Sequence, residues 1–201
     1  MTPKQVAHWK ARSLWAVLLV LMVVPMTIAA QSPLLAYRDA PYILSGIAGI
    51  AALCLLLVQP LLAVGLPGWP RASSARRLHR AIGAILLVAI LVHVAGLYVT
   101  SPPDTIDALT LASPTPFSIY GVTAMWALIA AAAILPARRR FGVRRWRRVH
   151  LALALWVAVG TVAHAMLIEG TMGTISKAVL CVAVLASMAT AVIRCRRGQR
   201  P

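Results

Sequence analysis

The residues in this chain that could do chemistry are histidines. The sequence has five of them, and four form two matched pairs within or beside long apolar runs. His79 follows Arg76-Arg77-Leu78 and is followed fourteen residues later by His93; His150 follows Arg147-Arg148-Val149 and is followed fourteen residues later by His164. An ionisable side chain inside a bilayer costs of order a few kcal/mol on insertion scales, and it usually faces the protein interior for a functional reason. At 3.6 residues per turn, fourteen residues is close to four whole turns, so both members of a pair leave one face of a helix about 21 Å apart. That distance covers most of an apolar core about 30 Å thick.

Placing four such side chains requires membrane-crossing helices. The chain is 61% hydrophobic and 12% charged, a membrane composition. Six apolar runs are long enough to cross: Ser13 to Ala30, Tyr42 to Gly65, Ala81 to Thr100, Phe117 to Leu135, Leu151 to Ile168 and Ile175 to Ile193. They predict an all-α integral membrane protein, a six-transmembrane-helix bundle over residues 13–193, with a cytoplasmic N-terminal segment (1–12) and a basic cytoplasmic tail (194–201). The opening resembles a signal peptide in its basic start and small residues at Ile28-Ala29-Ala30. Its apolar run is too long for an h-region, so it is expected to stay as the first span.

Charge sets the topology. Of the 20 basic residues only Arg38 and Lys177 fall on one side of the alternating spans; the rest, from Lys4, Lys10 and Arg12 through Arg71 to Arg80, Arg138 to Arg148 and Arg194 to Arg200, fall on the other. The positive-inside rule puts both termini in the cytoplasm and the protein in the inner (plasma) membrane. The net charge of +16 is thus topology and attraction to anionic lipid headgroups rather than nucleic-acid binding.

The third and fifth spans are parallel and begin at the same arginine-rich level, so His79 should lie at the depth of His150 and His93 at that of His164. Two neutral imidazoles on opposite sides of an iron porphyrin make a six-coordinate site, which predicts a bundle binding two stacked hemes. Iron so held has no open position for oxygen chemistry and suits electron transfer. Gly83, Gly96 and Gly160 are expected to let the backbone approach the heme planes. Paired ligands about 21 Å apart cannot share one zinc or copper ion. Cys54, Cys181 and Cys195 read as small packing residues with neither disulfide nor metal spacing, and no C-x-x-C-H provides covalent heme attachment. His8 reads as solvated.

The His79/His93 and His150/His164 pattern, with Trp146-Arg147-Arg148-Val149-His150, resembles the ferric-reductase-like transmembrane domain. That family includes ferric reductases, the membrane part of NADPH oxidases and the heme-binding subunit of the periplasmic methionine sulfoxide reductase system. The resemblance runs from about Tyr42 to Ile193. It implies two b-type hemes, the inner on His79 and His150 and the outer on His93 and His164. It also implies an oxidoreductase membrane component that moves electrons outward to a periplasmic acceptor, ferric iron or a partner protein. Many members continue into a flavin- and NADPH-binding domain, whereas this sequence ends eight residues after Ile193 without a G-x-G-x-x-G segment. The donor is therefore expected to be separate, either a flavoprotein reductase that carries any flavin itself or quinol. The sulfoxide-reductase subunit lacks two third-helix histidines at this spacing, so the likeness supports the superfamily above that role.

Arg80 and Arg148 are expected beside the inner heme's propionates, since a guanidinium pairs well with a carboxylate. The arginine-rich face suits docking of an acidic reductase or an anionic reduced cofactor. Two other readings stay open. A different di-heme cytochrome b, ascorbate- or quinol-linked, would take its ligands from four helices. A heme-free transporter or assembly subunit would use the histidines for proton relay and needs acidic partners in the bilayer, yet Asp39, Asp104, Asp107 and Glu169 all lie outside the apolar runs. The segment from Ser101 to Pro116 reads as a solvated outer loop.

Overall fold

A computed structural model describes residues 2–65, 72–136 and 138–197. Arg71 and Arg200, counted above toward the basic face, lie outside the described residues. Among the described residues eight α-helices follow one another: α1 (Pro3–Ala30), α2 (Ala40–Val64), α3 (Ala72–Thr100), α4 (Pro102–Leu109), α5 (Pro116–Ala133), α6 (Arg138–Phe141), α7 (Val143–Leu167) and α8 (Thr174–Arg197). Among the described residues there is no strand, and six helices, α1, α2, α3, α5, α7 and α8, are long and apolar enough to cross a membrane.

The helices begin earlier than the apolar runs. Residues 1–12, expected ahead of the first helix, mostly belong to α1, whose start is fixed by a capping box: Gln5 N–H donates to Thr2 Oγ1 (3.3 Å) and Thr2 N–H to Gln5 Oε1 (2.7 Å). His8 is exposed there. In the same way Arg76, Arg77 and Arg80 lie within α3, and Arg144 to Arg148 within α7. Lys and Arg are good helix formers whose charged ends reach for water, so the helix outlasts the hydrophobic stretch. The expected outer loop is also corrected, because half of it forms α4. Thr105 of α4 is buried, and Ser101 Oγ donates to the carboxylate of Asp104 (2.6 Å).

α2 is the central helix, packed on α1, α3 and α8; α5 packs on α7, and α7 on α8. Leu53, Leu57 and Leu62 of α2 share one apolar core with Leu180 and Val184 of α8, Val157 and Ala158 of α7 and Leu18 of α1. Large apolar side chains such as Leu19, Val99 and Val182 point outward, as a lipid-facing surface requires. The ends are tied by long cations: Lys177 Nζ donates to the Ile168 carbonyl closing α7 (2.5 Å), and Arg194 Nη1 to the Gly65 carbonyl closing α2 (3.0 Å). Cys54 and Cys181 are buried and Cys195 is half-buried, all as free thiols.

Three glycines expected against heme planes serve helix–helix contacts instead. A Cβ on Gly96 would lie 2.8 Å from both the Pro41 carbonyl and Ser45 Cβ of α2, one on Gly83 2.9 Å from Gln59 Nε2, and one on Gly160 3.1 Å from Ala124 Cβ of α5. Without a strong hydrophobic drive between helices in lipid, such small residues are what let backbones close up. Gly96→Ala should therefore lower the melting temperature in detergent, at a cost of roughly 1–3 kcal/mol from overpacking. Gly46→Ala, whose Cβ meets nothing within 4 Å, should melt at or above the wild-type temperature.

Candidate functional site

The four membrane histidines meet as the spacing predicts. The rings of His79 and His150 have centroids 6.4 Å apart with planes at 74°, and those of His93 and His164 are 6.4 Å apart at 81°. A metal–nitrogen bond of about 2 Å on each side plus the radii of two imidazole rings amounts to roughly 6 Å between ring centres. α3 and α7 themselves are not among the substantial helix–helix contacts. They face each other at two levels through imidazoles.

The second nitrogen of each ring is set by a neighbouring helix. His93 Nδ1 lies 2.8 Å from the Ser45 carbonyl of α2, His79 Nδ1 3.1 Å from the Gln59 carbonyl of α2, and His164 Nδ1 2.8 Å from the Phe117 carbonyl of α5. A carbonyl can only accept, so Nδ1 carries the proton in each, and Nε2 keeps its lone pair. His150 Nδ1 faces the Ala131 carbonyl of α5 without completing a hydrogen bond. This is the arrangement by which proteins orient metal-ligating histidines and raise their basicity.

The acceptors repeat as the histidines do. Ser45 and Gln59 are fourteen residues apart on α2, and Phe117 and Ala131 are fourteen apart on α5. Gly49 and Gly121 each stand four residues after the outer acceptor. A side chain at that position tilts back over the carbonyl, and a Cβ there would lie 2.9 Å from His93 Nδ1 on Gly49 or 2.5 Å from His164 Nδ1 on Gly121. Glycine thus opens the path for the imidazole. In α2 the side chains close a second bond: Ser45 Oγ donates to the His93 carbonyl (2.7 Å) and Gln59 Nε2 to the His79 carbonyl (3.1 Å). Phe117 and Ala131 offer no such group, and Phe117 instead sets its ring edge-on to His164 at 5.9 Å.

Trp146, one turn before His150, stacks on its ring (5.2 Å, 14°), and the Arg138 guanidinium lies 5.4 Å from the indole centroid. Arg80 and Arg148 are exposed beside the His79/His150 level, without a bonded partner there. No third His, Cys, Asp or Glu joins either pair among the described residues, so each level offers two imidazoles and nothing toward a tetrahedral ion. Two imidazoles with ring centres 6.4 Å apart on separated apolar helices, as at each level here, fit a heme held between them.

Sequence reasoning missed the whole supporting set on α2 and α5. Gln59, a polar residue within an apolar run, was its visible signal, along with the equal spacing of Ser45/Gly49 and Phe117/Gly121.

Residues 45–161 match the family described as Ferric reductase like transmembrane component. The match takes in His79, His93 and His150 and stops just before His164, which joins the site by geometry. A search of curated proteins and one of solved structures find no match to the chain. With more than half of its length matched, the chain belongs to the ferric-reductase-like transmembrane family and is a multi-pass membrane protein of electron transfer.

Proposed function

We propose that the chain carries electrons across the plasma membrane through two bis-histidine b-type hemes, His79 and His150 holding the inner and His93 and His164 the outer. The observation behind this reading is the equal 6.4 Å ring separation at both levels, with Nδ1 of His79, His93 and His164 committed to main-chain carbonyls. When bound, each heme supplies a one-electron carrier. The protein's part would be to fix ring tautomer and orientation, and to keep water from the iron by holding it between two imidazoles.

Absorption spectra of the purified protein should show two non-covalent, low-spin hemes per chain. His79→Ala and His150→Ala should leave one residual spectrum and midpoint, and His93→Ala and His164→Ala another. If His79→Ala instead matched His93→Ala and differed from His150→Ala, the pairing by depth would be wrong.

Arg80 and Arg148 stand beside the inner level, where a nearby cation stabilises the extra electron of the reduced state. Redox titration of Arg80→Gln and Arg148→Gln should show the inner midpoint shifted downward with the outer unchanged. Unmoved midpoints in both variants would remove these arginines from the site.

The direction of flow follows from the two faces: all four acidic residues belong to the end opposite the arginines. With both termini cytoplasmic, a separate flavoprotein reductase or quinol would reduce the inner level, and a periplasmic ferric complex or partner protein would be reduced at the outer. In sealed vesicles of known orientation, an impermeant ferric acceptor should be reduced from the arginine-poor face. Donor-dependent reduction should slow as salt rises, since exposed charges are screened beyond about 8 Å at physiological ionic strength. Reduction only from the arginine-rich face would reverse the proposed direction.

A further inference from the structure

Three buried polar side-chain atoms have no hydrogen-bond partner among the described residues: Gln59 Oε1, Trp146 Nε1 and His150 Nδ1. All three belong to residues of the inner level. Gln59 bonds the main chain of His79, and Trp146 stacks on His150. His150 Nδ1 has the Ala131 carbonyl before it. Trp146 Nε1 has no comparable acceptor.

An indole nitrogen can only donate, and no acceptor among the described residues reaches it, which leaves the place for an acceptor brought in from outside. The charge around it says which kind. Arg138 lies against the indole, and Arg144, Arg145, Arg147 and Arg148 share its end of α7. Asp39, Asp104, Asp107 and Glu169 all belong to the opposite end, so this end holds a buried donor and a guanidinium with no carboxylate of its own. Trp146 precedes His150 by one turn, and so lies between the inner imidazoles and the arginine-rich surface.

We infer that Trp146 Nε1 and Arg138 form a carboxylate site that takes one propionate of the inner heme, the indole donating the hydrogen bond and the guanidinium balancing the charge. The inference rests on the heme reading above. It assigns Trp146 two tasks, orienting the His150 ring by stacking and anchoring the macrocycle by its N–H. Only the second needs the nitrogen.

The full-length protein, prepared without heme and reconstituted with heme b or with its dimethyl ester, separates the two. Trp146→Phe keeps an aromatic ring against His150 and removes the donor. It should still bind two hemes, but with heme b one of them should pass to a scavenger such as apomyoglobin about tenfold faster than in wild type, as expected for loss of a hydrogen bond to a charged group. With the dimethyl ester, whose carbonyl is a neutral and weaker acceptor, the gap between wild type and variant should shrink to about threefold or less. A benzothienyl isostere of tryptophan at position 146, which keeps the shape and lacks the N–H, should repeat the result if Trp146→Phe fails to hold the inner heme. Equal loss rates with heme b would overturn the inference. So would a difference as large with the ester as with heme b, which would assign the indole to another acceptor such as a lipid phosphate. Wild-type protein that binds no heme would overturn the parent reading and this inference together, an outcome distinct from two hemes bound with no effect of the substitution.

Discussion

A polar ring nitrogen in the middle of a bilayer has no water to turn to, and leaving it unpaired costs several kcal/mol. The bundle answers this with main-chain carbonyls of the adjacent antiparallel helix, each of which already accepts a helical bond and has a second lone pair to offer. Much of the rest depends on that choice. Carbonyls point along the helix axis under the side chain four residues on, so Gly49 and Gly121 are required where the rings of His93 and His164 come in. Each histidine-bearing helix must also lie close to its partner, which is why Gly96 faces Ser45 and Gly160 faces Ala124.

The two halves solve the problem unequally. In the α2–α3 hairpin, Ser45 and Gln59 grip each histidine residue twice, accepting from Nδ1 through the main chain and donating to the histidine's carbonyl through the side chain. The α5–α7 hairpin repeats the spacing with Phe117 and Ala131, which can only accept. There, aromatic contacts add to the orientation: Phe117, whose carbonyl already holds Nδ1, against His164, and Trp146 against His150. A hydrogen bond fixes a ring through one atom and adds electron density to it, whereas stacking restrains its plane and leaves its basicity alone. The α3 histidines are therefore the more tightly specified of the four.

Much of this could be read from the sequence because it is periodic. Six apolar runs gave six spans, and the fourteen-residue step with its Arg-Arg prefix placed all four rings at two shared depths, since helical pitch and parallel direction leave little else open. The supporting carbonyls could not be read in that way. They are main-chain groups without a residue signature, and Ser45, Gly49, Phe117 and Gly121 look like ordinary members of apolar helices until the partner helix is in place. The glycines on α3 and α7 misled for a related reason: a small residue marks a close approach without saying whether a cofactor or a neighbouring helix makes it. Helix starts were late because apolar runs mark where lipid begins, and the basic turns before them remain helical.

The spacing between the two histidine-bearing helices has its own cause. α3 and α7 make no substantial contact with each other, and close packing would leave no room for a planar group between their rings. Each is instead carried by its own antiparallel partner, α2 or α5, so the distance between the imidazoles is set by whatever holds the two hairpins together. That element is α8, which packs on α2 on one side and α7 on the other. Its Leu180, Cys181, Val184 and Met188 are buried between them, and its ends are pinned by Lys177 to the close of α7 and by Arg194 to the close of α2. A helix with no histidine of its own thereby acts as a spacer between the two hairpins. Because protein interiors are close-packed and do not deform smoothly, its buried side chains hold the hairpins at a fixed separation.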